Sequence, residues 1–337
     1  MPGPDQRTRE SATESAHHDR ASADVYRSDA FAGLVDLAVR NQPADLRFAT
    51  TADHRLSPAL RDLTALCQRY VGPGLRVLVL FGSRLSQRND PNDSRDGAMG
   101  LPDLLAILDD GTLAAMLKRH RKPWLLRWAA RHLQPTTLAL RNGDTIVAKL
   151  NLIERGALWR DLCRLPDLYL AGRISKVLQP LYSRDVHSLR DVQDAAHLAA
   201  QRIADWVLRD IHHRVSIDDA VARCVGLSYR AELRPEGRRK LQALHAQHGD
   251  FFRARFTPPL QEQATCWTIH FDADRGLLRD VRGPIARVRD RIALQALLGR
   301  SRLRSIARWP KQMLAYDGWW PYVKDKLRRA HQQESTP

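Results

Sequence analysis

Cysteine is scarce: Cys67, Cys163, Cys224 and Cys266 are spread through 337 residues, and no two form a CxxC pair. That excludes a zinc ribbon and a disulfide scaffold, and it fits a reducing compartment. Long apolar runs are missing too. The longest, Val77-Leu78-Val79-Leu80-Phe81, has the length of a strand, far short of the roughly 18–20 residues of a spanning helix. No internal repeat is visible. Acidic residues are outnumbered, 38 Asp and Glu against 54 Lys and Arg, for a formal net charge of +16. An excess of that size points to a polyanion (nucleic acid, nucleotide or an anionic membrane face) or to an Arg-rich surface with no partner. Charge alone does not choose among them. A hydrophobic content of 43% suffices for a core, and the length suits one large or two modest domains.

Residues 1–28 are polar and turn-rich, mix acids with bases and lack apolar periodicity; they read as a disordered tail. They carry neither the apolar stretch of a secretory signal nor the acid-poor composition of a transit peptide, so the expected location is cytoplasmic. Residues 29–40 and 57–70 have helical periodicity, the second with Ser57 as N-cap, Pro58 in the first turn and Gly72-Pro73-Gly74 at its end. Arg76 to Phe81 reads as a buried strand and is followed by Gly82-Ser83. After a polar loop, Leu104 to Leu108 forms a second apolar run just past Asp103. Met116 to His132 is basic and helical in pattern, with a break expected at Pro123. A third strand, residues 144–152, follows the Asn142-Gly143 turn, and from Leu158 the pattern is mainly helical. Residues 285–331 hold twelve Lys and Arg against three acids, with Trp309, Trp319, Trp320 and Tyr322. The expected divisions are a tail (1–28), an α/β domain with a small mixed sheet (29–157), a mainly helical domain (158–284) and a basic aromatic segment (285–337).

A strand ending in Gly82-Ser83, a loop and a strand carrying Asp103 form the layout of a nucleotidyltransferase palm. Glycine lets the backbone approach a triphosphate. The amides that follow and the Ser83 hydroxyl then face phosphate oxygens, and a carboxylate on the next strand holds Mg²⁺ against them. Read without that context, Gly-Ser after a strand is an ordinary turn. The same-face neighbours of Asp103 are Leu101 and Leu105, so a second metal carboxylate must come from elsewhere; Asp109, Asp110, residue 144 and Glu154 are the candidates. Lys149 lies within an apolar strand. On the buried side it needs an anion; on the solvent side it needs nothing.

The helical half is more specific. Asp161-Leu162 followed by Leu168-Tyr169-Leu170-Ala171-Gly172-Arg173-Ile174-Ser175-Lys176-Val177 resembles the D-L…L-Y-L-A-G-R-L-x-K-P motif of the mitochondrial-type phosphatidate cytidylyltransferases, the soluble CDP-diacylglycerol synthases also called translocator assembly and maintenance proteins. Gly226-Leu227-Ser228-Tyr229-Arg230-Ala231-Glu232-Leu233-Arg234 is similar to that family's L-S-Y-x-G-D-x-R, and Phe252-Arg253-Ala254-Arg255-Phe256 to its F-R-x-L-Y. Phe81-Gly82-Ser83, Asp103 and Lys149 fall where the family has Y-G-S-G-V, M-I-D-h-h and K-Y-G-V. The blocks keep the family's order over about 80–256.

The resemblance implies a nucleotidyltransferase domain, a winged-helix-like helical domain and a C-terminal membrane-associating segment. It implies CTP and phosphatidate as substrates, Mg²⁺ as cofactor, CDP-diacylglycerol and pyrophosphate as products, an anionic membrane surface as partner and no nucleic acid. By position, Gly82, Ser83 and Arg84 would cradle the nucleotide phosphates, Asp103 would hold the metal and Lys149 would meet phosphate charge. Tyr169, Arg173, Ser228, Tyr229 and Arg234 carry two readings, phosphate contact or packing and ion pairing. Lys176 reads as a surface charge. The sequence departs from the family at Arg84 for the second loop glycine, at Leu150-Asn151 for Tyr-Gly, at Ala231-Glu232 for Gly-Asp, and at the basic stretch Leu113 to Trp128 where the family has a W-H…N segment. These departures leave open another acceptor for the nucleotide or a degenerate, non-catalytic transferase fold.

Overall fold

The computed structural model describes residues 57–81, 101–143, 145–164, 167–230 and 238–315. The tail, the first expected helix, Gly82-Ser83-Arg84, Arg234 and the aromatic residues past 315 therefore lie outside the described residues.

Helix α1 (Pro58–Val71) opens with proline in its first turn and ends at Gly72, whose φ of +89° suits glycine. Ser57 flanks the helix, but its backbone oxygen, not its side chain, accepts the first amides, from Leu60 and Arg61. Strands β1 (Leu75–Phe81) and β2 (Asp103–Leu108) pair antiparallel. The basic stretch forms two helices, α2 (Thr112–Arg119) and α3 (Trp124–His132), and Pro123 stands at the break. β3 (Thr136–Asn142) and β4 (Thr145–Glu154) form a hairpin, and β4 runs parallel to β2. α4 (Arg155–Cys163) and the single turn α5 (Ala171–Ile174) follow, and β5 (Leu178–Ser183) returns to pair with β1. The mixed sheet has the order β3-β4-β2-β1-β5.

Two of these strands were not apparent in the sequence reading. β3 has period-2 leucines, Leu138 and Leu140, and the turn after it is a hairpin signal. β5 contains Pro180, which is tolerated because β5 is an edge strand. It also carries the sheet past residue 157, so the helical part does not begin where the sheet ends.

One face of the sheet (Leu78, Leu80, Leu104, Ala106, Leu138, Leu140, Leu150, Leu152) packs on α1, α2 and α3 in a single core. The other face meets α4 and α6 (Val186–Arg209). Asp185 caps α6, accepting from the Ser188 amide at 2.6 Å. The small residues Ala195, Ala196, Ala199, Ala200 and Ala204 of α6 are buried, so neighbouring helices approach closely. Then come β6 (Arg214–Ser216), α7 (Ile217–Arg230), α8 (Arg238–Ala264, kinked at His248), a 3-10 turn (Thr265–Trp267), β7 (Ile269–Asp272) and β8 (Leu277–Asp280). The three strands form an antiparallel sheet in the order β6-β8-β7. α9 (Pro284–Ala307) and α10 (Trp309–Ala315) close the described chain, and α10 packs on β3 and α3.

The architecture is thus an α/β part with a five-stranded mixed sheet, followed by a mainly helical part. No described helix is long and apolar enough to cross a membrane.

Candidate functional site

The strand register brings the first expected pair together. Asp103, the first residue of β2, is the cross-strand partner of Phe81, the last residue of β1, and also of Lys149 on β4. Their neighbours Leu104 and Leu150 belong to the α1–α3 core. By the period of two, Asp103 and Lys149 project from the opposite face. Both are half-buried. The Lys149 amide donates to the Pro102 carbonyl at 2.9 Å, which fixes the register at this point. Gly82, Ser83 and Arg84, which continue from Phe81 in sequence, lie outside the described residues.

Two residues along β4, the buried Asn151 marks the same face. Its Nδ2 donates to the Leu104 carbonyl at 3.0 Å, and its Oδ1 accepts from Thr137 Oγ1 at 2.8 Å and from Arg173 at 3.1 Å. Arg173 thus reaches from α5 onto the face that carries Asp103 and Lys149. A small pocket there is lined by Phe81, Leu105, Pro135, Asn151, Leu170, Arg173 and Leu178. Strand periodicity puts Asn151 on the face of Lys149, and a polar residue inside an apolar strand was the signal for its role.

The other described motif residues make packing contacts. Tyr169 is buried, with its ring between two guanidinium groups, Arg173 at 4.6 Å and Arg308 at 3.6 Å from the ring centroid. Ser228 is buried and donates to the Val225 carbonyl at 2.7 Å. Gly172 lies against the Ser228 backbone so closely that a Cβ there would stand 2.7 Å from the Ser228 oxygen. The two motif blocks therefore meet, α5 on α7. Lys176 is not a surface charge: it is buried, and its ammonium lies 3.9 Å from the centre of the Tyr229 ring.

A buried basic cluster stands behind Tyr169. Arg304 pairs with Asp161 at 2.7 Å and with Asp167. Arg308, fully buried, donates to the Gln134 carbonyl at 2.7 Å, and burial pushes its pKa down to about 10. Lys311 donates to the carbonyls of Leu133 and Pro135, the latter at 2.7 Å. Burial, and then Arg308 and Arg304, hold the Lys311 ammonium well below its ordinary range. Asp161 is raised by burial, against the pull of Arg304 and Arg308. Asp161, the acid of the D-L block, thus ties α4 to α9. The sequence signal for the cluster was available as the spacing Arg304, Arg308, Lys311, one helical face at i, i+4, i+7.

The expected second carboxylate is committed elsewhere. Asp109, just past the far end of β2, accepts from Arg184 at 2.6 Å and Arg76 at 3.0 Å, and Arg184 foremost holds its carboxyl below the usual range. With a rise near 3.3 Å per residue, Asp109 lies about 20 Å along the strand from Asp103. Asp110 accepts from the Gly156 amide at 2.8 Å, and Glu154 from the Leu113 amide and Gln134, both at 3.0 Å. Residue 144 lies outside the described residues. Among the described residues, no three His, Cys, Asp or Glu side chains gather as a metal site. One carboxylate is nevertheless enough for Mg²⁺ when substrate phosphates and water supply the remaining oxygens, so Asp103 fits the cation only as part of a nucleotide complex. No protein-family model matches this chain, and no curated protein is significantly similar to it in sequence.

Proposed function

We propose that this chain is a Mg²⁺-dependent cytidylyltransferase that joins CTP to phosphatidate at a membrane surface, giving CDP-diacylglycerol and pyrophosphate. One observation carries the reading: Asp103 is the register partner of both Phe81, the residue before Gly82-Ser83, and Lys149. A strand end leading into Gly-Ser, a carboxylate on the adjacent strand and a cation on the next are the elements needed to hold a triphosphate. Arg173, on the same face, adds a guanidinium suited to phosphate. The order α6-β6-α7-α8-β7-β8, with three antiparallel strands, agrees with a winged-helix-like second part.

The chemistry asks little of the protein. The phosphate monoester of phosphatidate attacks the α-phosphorus of CTP; the new P–O bond forms as the bond to pyrophosphate breaks. A phosphate monoester is largely dianionic at neutral pH, its second pKa being near about 6, so no strong general base is required. Asp103 would hold Mg²⁺, which would supply charge neutralisation at the phosphate oxygens. Lys149 and Arg173 orient the two anions and offset their repulsion, and positioning with electrostatics supplies most of the rate in such transfers.

The membrane-surface part is supported by α9. Ile285, Val288, Ile292, Leu303 and Ile306 are exposed and fall on one helical face. Exposed Arg289 and Arg300 flank the stripe on one side, Arg291 and Arg302 on the other. The single acid of α9, Asp290, is buried against Arg282 at 2.8 Å.

A second reading, a transferase fold that binds nucleotide without turning it over, is favoured by the commitment of Asp109, Asp110 and Glu154 to other partners. One pair of measurements separates the two. Purified protein with CTP, Mg²⁺ and phosphatidate-containing vesicles is expected to release pyrophosphate, and Asp103→Ala to abolish release and lower CTP affinity. Tight, Asp103-dependent CTP binding with no product selects the second reading. Absence of CTP binding overturns both.

A further inference from the structure

We infer that the exposed aromatic face of α3, together with α10 beside it, is a second lipid-contacting surface that seats on an anionic bilayer. Trp124, Leu125 and Trp128 are 69%, 43% and 59% exposed. They lie on the side of α3 opposite the buried Leu126, Ala129 and Ala130. α10 packs on α3 and presents Trp309 and Met313, both about half exposed. Lys311, between them in sequence, is buried against the carbonyls of Leu133 and Pro135 just past the end of α3. Three tryptophans and two aliphatic side chains are thus open to solvent on two helices in contact, which marks an interaction surface.

The surroundings select the occupant. From Thr112 to Gly143 the chain holds seven Lys and Arg and no acid. Of these, Lys118, Arg121 and Arg131 are exposed, and Arg131 is on α3 itself, one and two turns from Trp128 and Trp124. Tryptophan beside basic residues is the composition of a bilayer interface, where each base also gains from anionic headgroups. A single-stranded nucleic acid would use the bases and stack on the rings, but Leu125 and Met313 offer it nothing. A second copy would bring like charge against like charge. The preceding helix α2 is anchored on α1. Arg119 donates to the carbonyls of Tyr70 and Val71 at 2.5 and 2.9 Å, and His120 stacks on Tyr70 at 4.1 Å.

The inference rests on the membrane-surface part of the proposed function and not on nucleotide transfer, so binding is measured without nucleotide. The full chain is floated with phosphatidylcholine vesicles, with and without phosphatidylglycerol. Preference for the anionic vesicles is expected. The double variant Trp124→Ser/Trp128→Ser is expected to weaken binding roughly tenfold or more. Arg121→Gln/Arg131→Gln should weaken it roughly fivefold per charge and flatten its salt dependence. An unchanged unfolding midpoint verifies the fold; if the Trp pair shifts it, the solvent-facing charge pair decides. If wild type binds and only Ile285→Ser/Ile292→Ser on α9 weakens it, the inference is overturned while the membrane reading stands. No vesicle binding at all overturns both. Tighter binding to a single-stranded oligonucleotide, lost in the Trp variant, replaces the lipid with nucleic acid.

Discussion

Two glycines, Gly172 at the α5–α7 contact and Gly226 on an open side of α7, are expected to answer the same substitution with opposite signs. At Gly172, an added Cβ would stand 2.7 Å from the Ser228 oxygen and 3.3 Å from its Cα. Both atoms are backbone of α7, so neither can swing aside as a side-chain tip would. Overpacking of this kind costs about 1–3 kcal/mol, and the gain in helix propensity returns at most about 1 kcal/mol. Gly172→Ala is therefore expected to lose about 1–2 kcal/mol net. At Gly226, on α7 itself, nothing lies within 4 Å of the added atom. Propensity acts alone there, and Gly226→Ala should gain about 0.5–1 kcal/mol. Urea unfolding followed by circular dichroism reads both, the midpoint falling in one variant and rising in the other at constant slope. Because α5 also carries Arg173 onto Asn151, Gly172→Ala should weaken CTP binding as well. A Gly172→Ala protein as stable as wild type, beside a stabilised Gly226→Ala, would refute the backbone contact between the two motif blocks.

Two further substitutions probe the buried charges. Arg304→Met leaves Asp161 and Asp167 buried without their main cation and is expected to cost about 3 kcal/mol or more at neutral pH. Part of that loss should return on acidification as the carboxyls take up protons, which a series of urea midpoints against pH would show. Asp194 on α6 has its pKa pushed up to about 6 by burial, with Asp191 adding to it. Its folded-state pKa lies above the unfolded value near about 4, so stability falls as pH rises through that window and stays lower above it. Allowing for its partial exposure, Asp194→Asn should add about 1–2 kcal/mol above pH 6 and nothing near pH 4; an equal gain at both pH values would contradict the assignment.

The central strands were legible because their apolar runs stand alone: Arg76 to Phe81 and Leu104 to Leu108 emerged as β1 and β2. Pro123 marked the division of the basic stretch into α2 and α3. The edge strands were not legible. β5 has proline at its centre and few buried positions, and an edge strand needs neither a full ladder nor a continuous apolar pattern. At the site, periodicity gave the face of Asp103 and predicted that it would lack a same-face acid on its own strand. The choice of Lys149 as its cross-strand partner depended on register, which follows from pairing across the sheet rather than from local pattern. The roles of Tyr169, Ser228 and Lys176 depended on contacts between segments far apart in the chain. For Tyr169 and Ser228 the sequence offered phosphate contact or packing, and for Lys176 a surface charge.

The net charge of +16 measures the surface poorly, because several of its cations are internal struts. Lys176, Arg255, Arg282, Arg308 and Lys311 are all buried. Arg282 binds Asp280 and Asp290, both at 2.8 Å, and the carbonyls of Leu208 and Ile211. Arg308 and Lys311 satisfy the carbonyls of residues 133–135, and Lys311 also donates to the Thr136 hydroxyl. Arg282 is neutralised by its two carboxylate partners, and burial draws Lys311 toward its neutral form. A partner argument built on the total would therefore count the wrong residues. What remains outside is not spread evenly. Among the described residues, exposed cations without exposed acids on the same helix border the apolar stripe of α9 and the tryptophans of α3. A merely soluble surface would mix the signs and leave large apolar side chains isolated. Basic residues set beside exposed aliphatic and aromatic side chains, with the structural cations excluded, are the observation on which the proposed lipid surface rests.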